Sequence, residues 1–121
     1  MAKGRVEAIL ESFTTPAHLA AARRSLIDSN KESVVDGARK YIQFGDLGTI
    51  ADLLLVGVEG SSLRAQVMKE ALEAKAVRKR ESEEYFRERE NELATDYAQE
   101  ADRLTRLAQE LALYVAQEGH T

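Results

Sequence analysis

The sequence predicts an all-α protein, with a small N-terminal cluster of four short helices followed by one long C-terminal helix of coiled-coil character. Three observations support this prediction. Apolar residues recur at intervals of three and four, the spacing that places side chains on one face of an α-helix. The 121 residues include a single proline. Neither glycine nor proline occurs between residues 63 and 118, so no conventional signal ends a helix there.

The first two helices are predicted from apolar spacing and from the proline. The apolar side chains of the first segment share one face of a short amphipathic helix: Val6, Ile9, Leu10 and Phe13. Thr15 and Pro16 then form a strong start signal, since a threonine oxygen can cap free amide groups and proline fits the first helical turn. The second helix runs through Leu19, Ala22, Leu26 and Ile27.

The third helix is predicted from a capping signal. Ser29 and Glu32 have the spacing of a capping box, so a new helix should begin near residues 28–30. Its inward-facing side chains are expected to be Val34, Val35, Ala38, Tyr41 and Ile42. We expect this helix to end near Phe44, because Gly45 readily adopts the left-handed conformation that closes a helix.

The fourth helix carries the most apolar run of the chain, residues 49–58, after a cap supplied by Asp46 or Thr49. This run is about half of the ~20 residues that a membrane-spanning helix needs, and Asp52 interrupts it. The run therefore predicts a buried helix rather than a membrane anchor. We expect the helix to stop around residues 57–60, where two glycines occur.

The second half of the chain is predicted to be one long charged helix. Ser61 and Ser62 are candidate caps at its start, which divides the chain into a short-helix cluster, residues 1–60, and a long-helix region, residues 61–121. At ~1.5 Å per residue, an uninterrupted helix would be on the order of 80 Å long, well beyond the diameter of a compact chain of this size. Either this helix protrudes, or it breaks without a conventional signal.

A heptad seam marks the C-terminal part of this helix. Apolar side chains fall on alternating four- and three-residue steps if Glu100 fills one slot, which is typical of a coiled coil. The predicted self-association residues are Leu93, Tyr97, Leu104, Leu107, Leu111 and Tyr114. Residues 78–92, which precede the seam, are mostly charged and are poorly suited to stand alone. The main prediction is a rod that shares its seam with copies of itself; the alternative is a hairpin in which residues 104–115 pack against the N-terminal helices.

No residue pattern in the sequence indicates catalysis, a metal or a cofactor. The chain has no cysteine, and His18 and His120 lie far apart in the sequence, so neither a thiolate site nor a histidine pair is expected. Paired carboxylates such as Glu83 and Glu84 have no nearby apolar wall to raise a pKa for acid catalysis. We therefore predict a protein that is not an enzyme, with no catalytic, cofactor-binding or metal-binding residues.

The charge pattern does not favour nucleic acid as a partner. The net charge is -4, and the local basic cluster consists of Lys75, Arg78, Lys79 and Arg80. Six glutamates follow by Glu92, and their carboxylates would repel the phosphates that the cluster attracts. Residues 49–64 have some likeness to a helix-turn-helix, but the turn is too long because Gly57 comes two positions later than the usual glycine.

Residues 48–97 resemble the small internal virion proteins, the core or ejection proteins, of short-tailed phages. The matching string is Gly48-Thr49-Ile50-Ala51, an apolar helix, and then Val58-Glu59-Gly60-Ser61-Ser62. In that family a similar turn precedes a long helix rich in alanine and charge, as residues 63–97 do here. The resemblance implies many copies in a ring or tube near the DNA exit path, with portal or core proteins as neighbours. The chain is shorter than that family would suggest and has no segment suited to crossing a bilayer, so a role at the host envelope is left open.

Three functions follow, from different classes. The first is a non-enzymatic structural protein that works by self-association, located in a virion as the resemblance implies and otherwise in the cytoplasm. The second is a helical adaptor or assembly chaperone whose Leu104 to Val115 face binds a client helix. The third is a small regulator that binds DNA through residues 49–64.

Overall fold

The computed structural model describes residues 3–27 and 29–118, and all regular structure in these residues is helical. Six α-helices follow one another: α1 (Lys3–Glu11), α2 (Pro16–Ser25), α3 (Lys31–Lys40), α4 (Leu47–Gly57), α5 (Ser61–Glu88) and α6 (Leu93–Glu118). A single 3₁₀ turn, Tyr41–Phe44, follows α3 directly. The all-α prediction is confirmed, but the four short helices are followed by two long helices rather than one.

Side-chain caps set the starts of two short helices. Thr15 Oγ1 accepts a hydrogen bond from a backbone N–H of the first turn of α2, and Pro16 is the first residue of that helix. Asn30 caps α3, since its side-chain oxygen accepts from the Ser33 N–H at 2.8 Å. These oxygens satisfy amide groups that have no partner within the helix. The cap of α3 therefore lies within the predicted residues 28–30 but belongs to Asn30 rather than to Ser29.

The turn before α4 depends on one glycine. Gly45 has φ 68°, a left-handed conformation that residues with a Cβ rarely adopt. A Cβ there would lie 2.7 Å from Arg78 Nη1 and 2.9 Å from Lys75 Nζ, so the glycine also leaves room for two cations. Asp46 then caps α4 by accepting from the Thr49 N–H at 3.0 Å and from the Thr49 hydroxyl at 2.6 Å. The predicted glycine closure and the Asp46 cap are both confirmed.

One hydrophobic core joins the short helices to the long ones. Helix α4 contacts α1, α2, α3 and α5, which explains why its apolar run is buried. The largest fully buried side chains of the core are Val6, Ile9, Leu10, Ile50, Leu54, Val58, Val67, Met68, Leu72, Leu104 and Leu111. The predicted boundary between residues 1–60 and 61–121 coincides with the start of α5, and the core contains side chains from both sides of it.

The second half of the chain is a hairpin, so the prediction of one continuous helix is wrong. Helix α5 ends at Glu88, and α6 begins at Leu93 after a loop of four residues. The two helices pack along their length in antiparallel orientation, as the contacts of Phe86 with Tyr97 near the loop and of Arg80 with Asp102 further from it show. The chain folds back on itself, as in the alternative arrangement, but residues 104–115 belong to a helix that packs mainly against α5 and not, as that alternative expected, against the N-terminal helices.

The loop between α5 and α6 reverses the chain without glycine or proline. Glu90 has φ 52°, the left-handed conformation that glycine usually supplies at the end of a helix. The Asn91 N–H donates to the Phe86 carbonyl at 2.9 Å and the Glu90 N–H to the Arg87 carbonyl at 3.0 Å, which is the bonding of a Schellman motif. Asn91 Oδ1 then accepts from the Leu93 N–H at 2.9 Å, as asparagine does in turns.

Burial within one chain explains why the hairpin forms. Leu104 and Leu111 are 0% and 1% exposed, and full burial of a leucine stabilises a fold by roughly 1.5–3 kcal/mol. Closing a loop of four residues loses little chain entropy compared with a long loop. A second chain supplying the same burial would also lose translational and rotational freedom. The leucine side of α6 is therefore covered by its own chain first.

Candidate interaction surface

The six predicted seam residues divide between the core and the surface. Leu104, Leu111 and Tyr114 are buried in the core of their own chain, and Leu107 packs against it. Leu93, beside the loop, is 44% exposed. The seam is thus occupied within one copy, which corrects the expectation that it forms a free surface. The physical reason is the chain reversal between α5 and α6, which turns the leucine side of α6 inward.

The sixth seam residue, Tyr97, belongs to an aromatic group near the hairpin loop. Its ring stacks on Phe86 with centroids 5.4 Å apart and planes within 4° of parallel. Tyr85 meets Phe86 edge-on at 5.1 Å, and Lys79 Nζ lies 5.2 Å from the Tyr97 centroid. Arg89 lies over the Tyr85 ring at 3.6 Å. These aromatic side chains contact one another and nearby cations within a single copy.

A shallow apolar hollow of about 350 Å³ lies between α5 and α6, and we call it the alanine hollow. Its lining is Glu73, Ala76, Val77, Arg80, Thr105, Ala108, Gln109 and Ala112. Val77 at its edge is 58% exposed, and Leu113, next to its α6 side, is 64% exposed. Small side chains on the floor let another helix approach closely, because interhelical distance depends on the side chains at the contact. This face of the hairpin therefore combines small side chains between the two helices with exposed apolar side chains.

Charged side chains of α5 lie on either side of the alanine hollow along the helix. Glu73 and Arg80 are each about half exposed and lie one turn before and one turn after Val77. Glu73 lies 3.6 Å from Lys69 Nζ, and Arg80 lies 2.7 Å from Asp102. Exposed pairs of this kind contribute only about 0–1 kcal/mol. These charges can therefore exchange partners when another surface approaches.

Two members of the predicted basic cluster hold the turn before α4. Lys75 Nζ donates to the Gly45 carbonyl at 3.0 Å, and Arg78 donates to the Gln43 carbonyl. Burial lowers the pKa of Lys75 below its usual value, and the positive charges of Lys79 and Arg78 lower it further. Both cations thus bind backbone carbonyls at the end of the 3₁₀ turn, and the Gly45 carbonyl also accepts from the Leu47 N–H at 3.1 Å. Their role in the structure is to close this turn.

The segment with a likeness to a helix-turn-helix, residues 49–64, ends in an arginine that is engaged inside the chain. Arg64 Nε donates to the Leu54 carbonyl at 2.9 Å, and Nη2 donates to the Leu55 carbonyl at 3.0 Å. Its Nη1 lies 3.1 Å from Glu7 Oε1. The guanidinium therefore satisfies carbonyls at the end of α4, where no helical partner is present. The Arg64 guanidinium is therefore engaged within the chain and is not directed outward to bind a phosphate group.

A second apolar surface lies beside α2. None of the described side chains of this helix is buried, and Ile27, just after it, is 81% exposed. The adjoining hollow of about 490 Å³ is lined by Ala20, Arg23, Arg24, Leu26, Ile27 and Val56. We call it the α2 surface. Its two arginines give an apolar surface with a positive edge.

Other kinds of site are not assembled by the described residues. His18 is exposed on α2, whereas His120 and Asp28 lie outside the described residues. The Glu83 side chain is 15% exposed and pairs with Arg87 and with Arg80 of the same helix. Within residues 3–27 and 29–118, no three histidine, cysteine or carboxylate side chains are placed to hold a metal ion. In the same part of the chain, no helix has the length and apolarity needed to cross a membrane.

The sequence signal for the alanine hollow is present but weak. Thr105, Ala108 and Ala112 follow the same steps of three and four as Leu104, Leu107 and Leu111, each displaced by one position along α6. Alanine is the best helix former and occurs on every face of a helix, so its spacing alone does not mark a surface. Only the position of α5 beside α6 turns these residues into the floor of a hollow.

Comparison with protein-family models gives no match to this chain. No curated protein and no solved structure matches it either.

Proposed function

We propose that this protein is a non-enzymatic structural protein that assembles with copies of itself through the face of the α5–α6 hairpin that carries the alanine hollow. One observation carries the proposal: Val77, which lines the alanine hollow, is 58% exposed, and Leu113, the residue after Ala112 of the hollow, is 64% exposed. Clustered apolar side chains on a surface are typical of interaction sites. The self-association that the leucine seam predicts is thus assigned to a different face of the same hairpin.

Helix packing explains how such a face is covered. Two antiparallel helices present a groove, and a stable bundle covers it with further helices at a small crossing angle. A second copy brings a matching pair of helices, so two hairpins together supply the four helices of a bundle. The short helices α1 to α4 lie outside this contact, because the lining of the alanine hollow comes from α5 and α6 alone.

The internal virion location implied by the resemblance is part of this proposal. It is supported by the turn at Gly60, with φ 96°, which directly precedes the long helix α5, the order of elements that the resemblance implies. A ring or tube of many copies also needs a self-association surface, which the hairpin face would provide. Genes for portal, capsid or tail proteins are expected beside the gene for this chain. Unrelated neighbours would contradict the virion location while leaving self-association untouched.

The proposal is tested by the mass of the protein in solution. Multi-angle light scattering and sedimentation across the micromolar range should give a dimer or larger species that dissociates on dilution, as mass action requires. Val77→Glu should shift the protein toward monomer, because it places a charge on the proposed contact. Ile27→Glu is the matched control on a distant exposed position and should leave the mass unchanged. A wild-type monomer at every concentration would contradict self-association.

The second candidate function is a helical adaptor or assembly chaperone, and the α2 surface favours it. The Leu104 to Val115 face first assigned to a client is not free, because Leu104 and Leu111 are buried. The α2 surface combines the exposed Ile27 with two arginines, which suits an amphipathic client helix with acidic side chains. In this case Ile27→Glu should abolish client binding and Val77→Glu should not.

A further inference from the structure

One side of α5 carries a row of charged side chains whose order of signs is inverted when the row is read in the opposite direction. Lys69, Glu73, Val77, Arg80 and Glu84 follow one another at steps of four, four, three and four residues, so they lie on one side of the helix. The order of charge is positive, negative, apolar, positive, negative. A surface of this kind is complementary to itself when two copies meet in opposite directions.

Antiparallel pairing of two α5 helices would match these charges. If the midpoint lies between Ala76 and Val77, each residue faces the one that is equally far from the midpoint on the second copy. Glu73 then faces Arg80 of the second copy, and Lys69 faces Glu84. A two-fold axis produces each contact twice, giving four ion pairs around an apolar centre. Parallel pairing would instead place every charge against its own copy, and this arrangement is repulsive.

The apolar centre fits the same geometry. Val77 of one copy lies opposite Ala76 of the other, and Ala76 lines the alanine hollow. The exposed valine would therefore enter the hollow of the second copy, as a knob enters a hole between packed helices. Both copies do this at once, because a two-fold contact uses the same patch on each side.

The neighbouring charges do not oppose this contact. By the same rule Glu70 would face Glu83 of the second copy, but each of these carboxylates is already paired with an arginine of its own copy, Glu70 with Arg39 at 3.2 Å and Glu83 with Arg87. Arg80 lies 2.7 Å from Asp102 and 3.6 Å from Glu83 in its own copy, so Glu73 of the second copy would add a third carboxylate near the arginine.

We infer that two copies of this chain pair through α5 in antiparallel orientation, about a two-fold axis beside Ala76 and Val77, with Glu73 bound to Arg80 of the second copy. The inference rests on the proposed self-association and adds its surface, orientation and symmetry. Because the ion pairs lie at the edge of the contact, salt should weaken the dimer.

Charge reversal tests the orientation directly. Glu73→Arg alone would place arginine against arginine, and Arg80→Glu alone would place glutamate against glutamate, so each variant should dimerise at least about tenfold more weakly. An equal mixture of the two variants should recover dimer, because one copy then supplies both positive charges and the other both negative charges. The double variant, with both charges exchanged, should dimerise like the wild type. Circular dichroism of each variant checks that the helices remain folded.

The outcomes separate the inference from the proposed function. A wild-type protein that stays monomeric overturns both. If the wild type dimerises but neither charge reversal weakens the dimer, the antiparallel α5 contact is wrong while self-association stands. The same conclusion follows if the equal mixture of the two variants does not dimerise.

Disulfide cross-linking gives a second measurement. The chain has no cysteine, so Val77→Cys introduces a single thiol next to the proposed axis. Mild oxidation should give a covalent dimer, whereas the control Ile27→Cys should give little. Equal cross-linking of both variants would overturn the contact.

Discussion

The two ends of the α5–α6 hairpin are held together by different forces. We call residues 61–76 with 104–118 the base and residues 77–103 the tip. The base contributes a large part of the hydrophobic core, whereas Ala94 and Ala101 are the buried residues of the tip. The tip relies on the stacked rings of Phe86 and Tyr97 and on surface ion pairs such as Arg80 with Asp102. One continuous helical pair can therefore be stable at one end and weakly held at the other, because burial and not helix length sets local stability.

The largest expected effect on the free energy of unfolding comes from truncating a leucine of the base, and a leucine of the tip is the comparison. Leu104→Ala removes a fully buried side chain of the base and should destabilise the fold by about 2–5 kcal/mol, through lost burial and a cavity. Leu93→Ala, on the same helix at the tip, should change the stability by less than about 1 kcal/mol because this side chain is 44% exposed. Urea unfolding followed by circular dichroism measures both. Equal losses would remove the distinction between base and tip.

An intermediate effect is expected from the aromatic stack. Phe86→Leu and Tyr97→Leu each keep an apolar side chain but remove the ring contact at 5.4 Å, and such pairs contribute about 0.5–1.5 kcal/mol beyond their burial. Amide hydrogen exchange should become faster near the loop while the slowest amides of the base stay unchanged. A double-mutant cycle with the two substitutions isolates the ring contact. A coupling of zero would show that the rings do not hold the tip.

The smallest expected effect is the pH dependence of stability. It comes from a helix cap beside the base and from a charge pair at the tip. Hydrogen bonds from the Thr49 side chain and backbone hold the pKa of Asp46 below its usual value of 3.8. The hydrogen bond from Arg103 likewise lowers the pKa of Glu100 below 4.5. Because both folded pKa values are depressed, the stabilisation is complete above these ordinary values and is lost as pH falls below them. Solvent screening keeps each contribution under about 1 kcal/mol.

Unfolding experiments between pH 6 and pH 2 measure this loss. Asp46→Asn should reduce the pH dependence but keep most of the stability at neutral pH, because asparagine is also a good helix cap. Adding salt should reduce the part that comes from Glu100 and Arg103 more than the part that comes from the Asp46 cap. A pH profile that Asp46→Asn leaves unchanged would contradict the role of this carboxylate.

The helix caps were predictable from the sequence because they are local. The hydrogen bonds that Thr15 and Asp46 accept join residues three positions apart, so the residue types within one turn are enough to indicate them. The reversal at Glu90 was not predictable in the same way. A glutamate in the left-handed conformation is unfavourable by itself, and the packing of α6 against the core stabilises it. Asparagine is common in turns, but a single Asn91 within a charged helical segment does not predict a chain reversal.

By itself, the sequence determined the helical class, four short helices with several of their caps, and a leucine face on the C-terminal segment. Periodicity and capping act over one or two turns, so they are written in neighbouring residues. The tertiary structure decided that this leucine face packs inward. It also decided that alanines of α5 and α6 together form an outward face of the hairpin. That choice depends on which surfaces bury most area together, a comparison between distant segments that no short pattern contains.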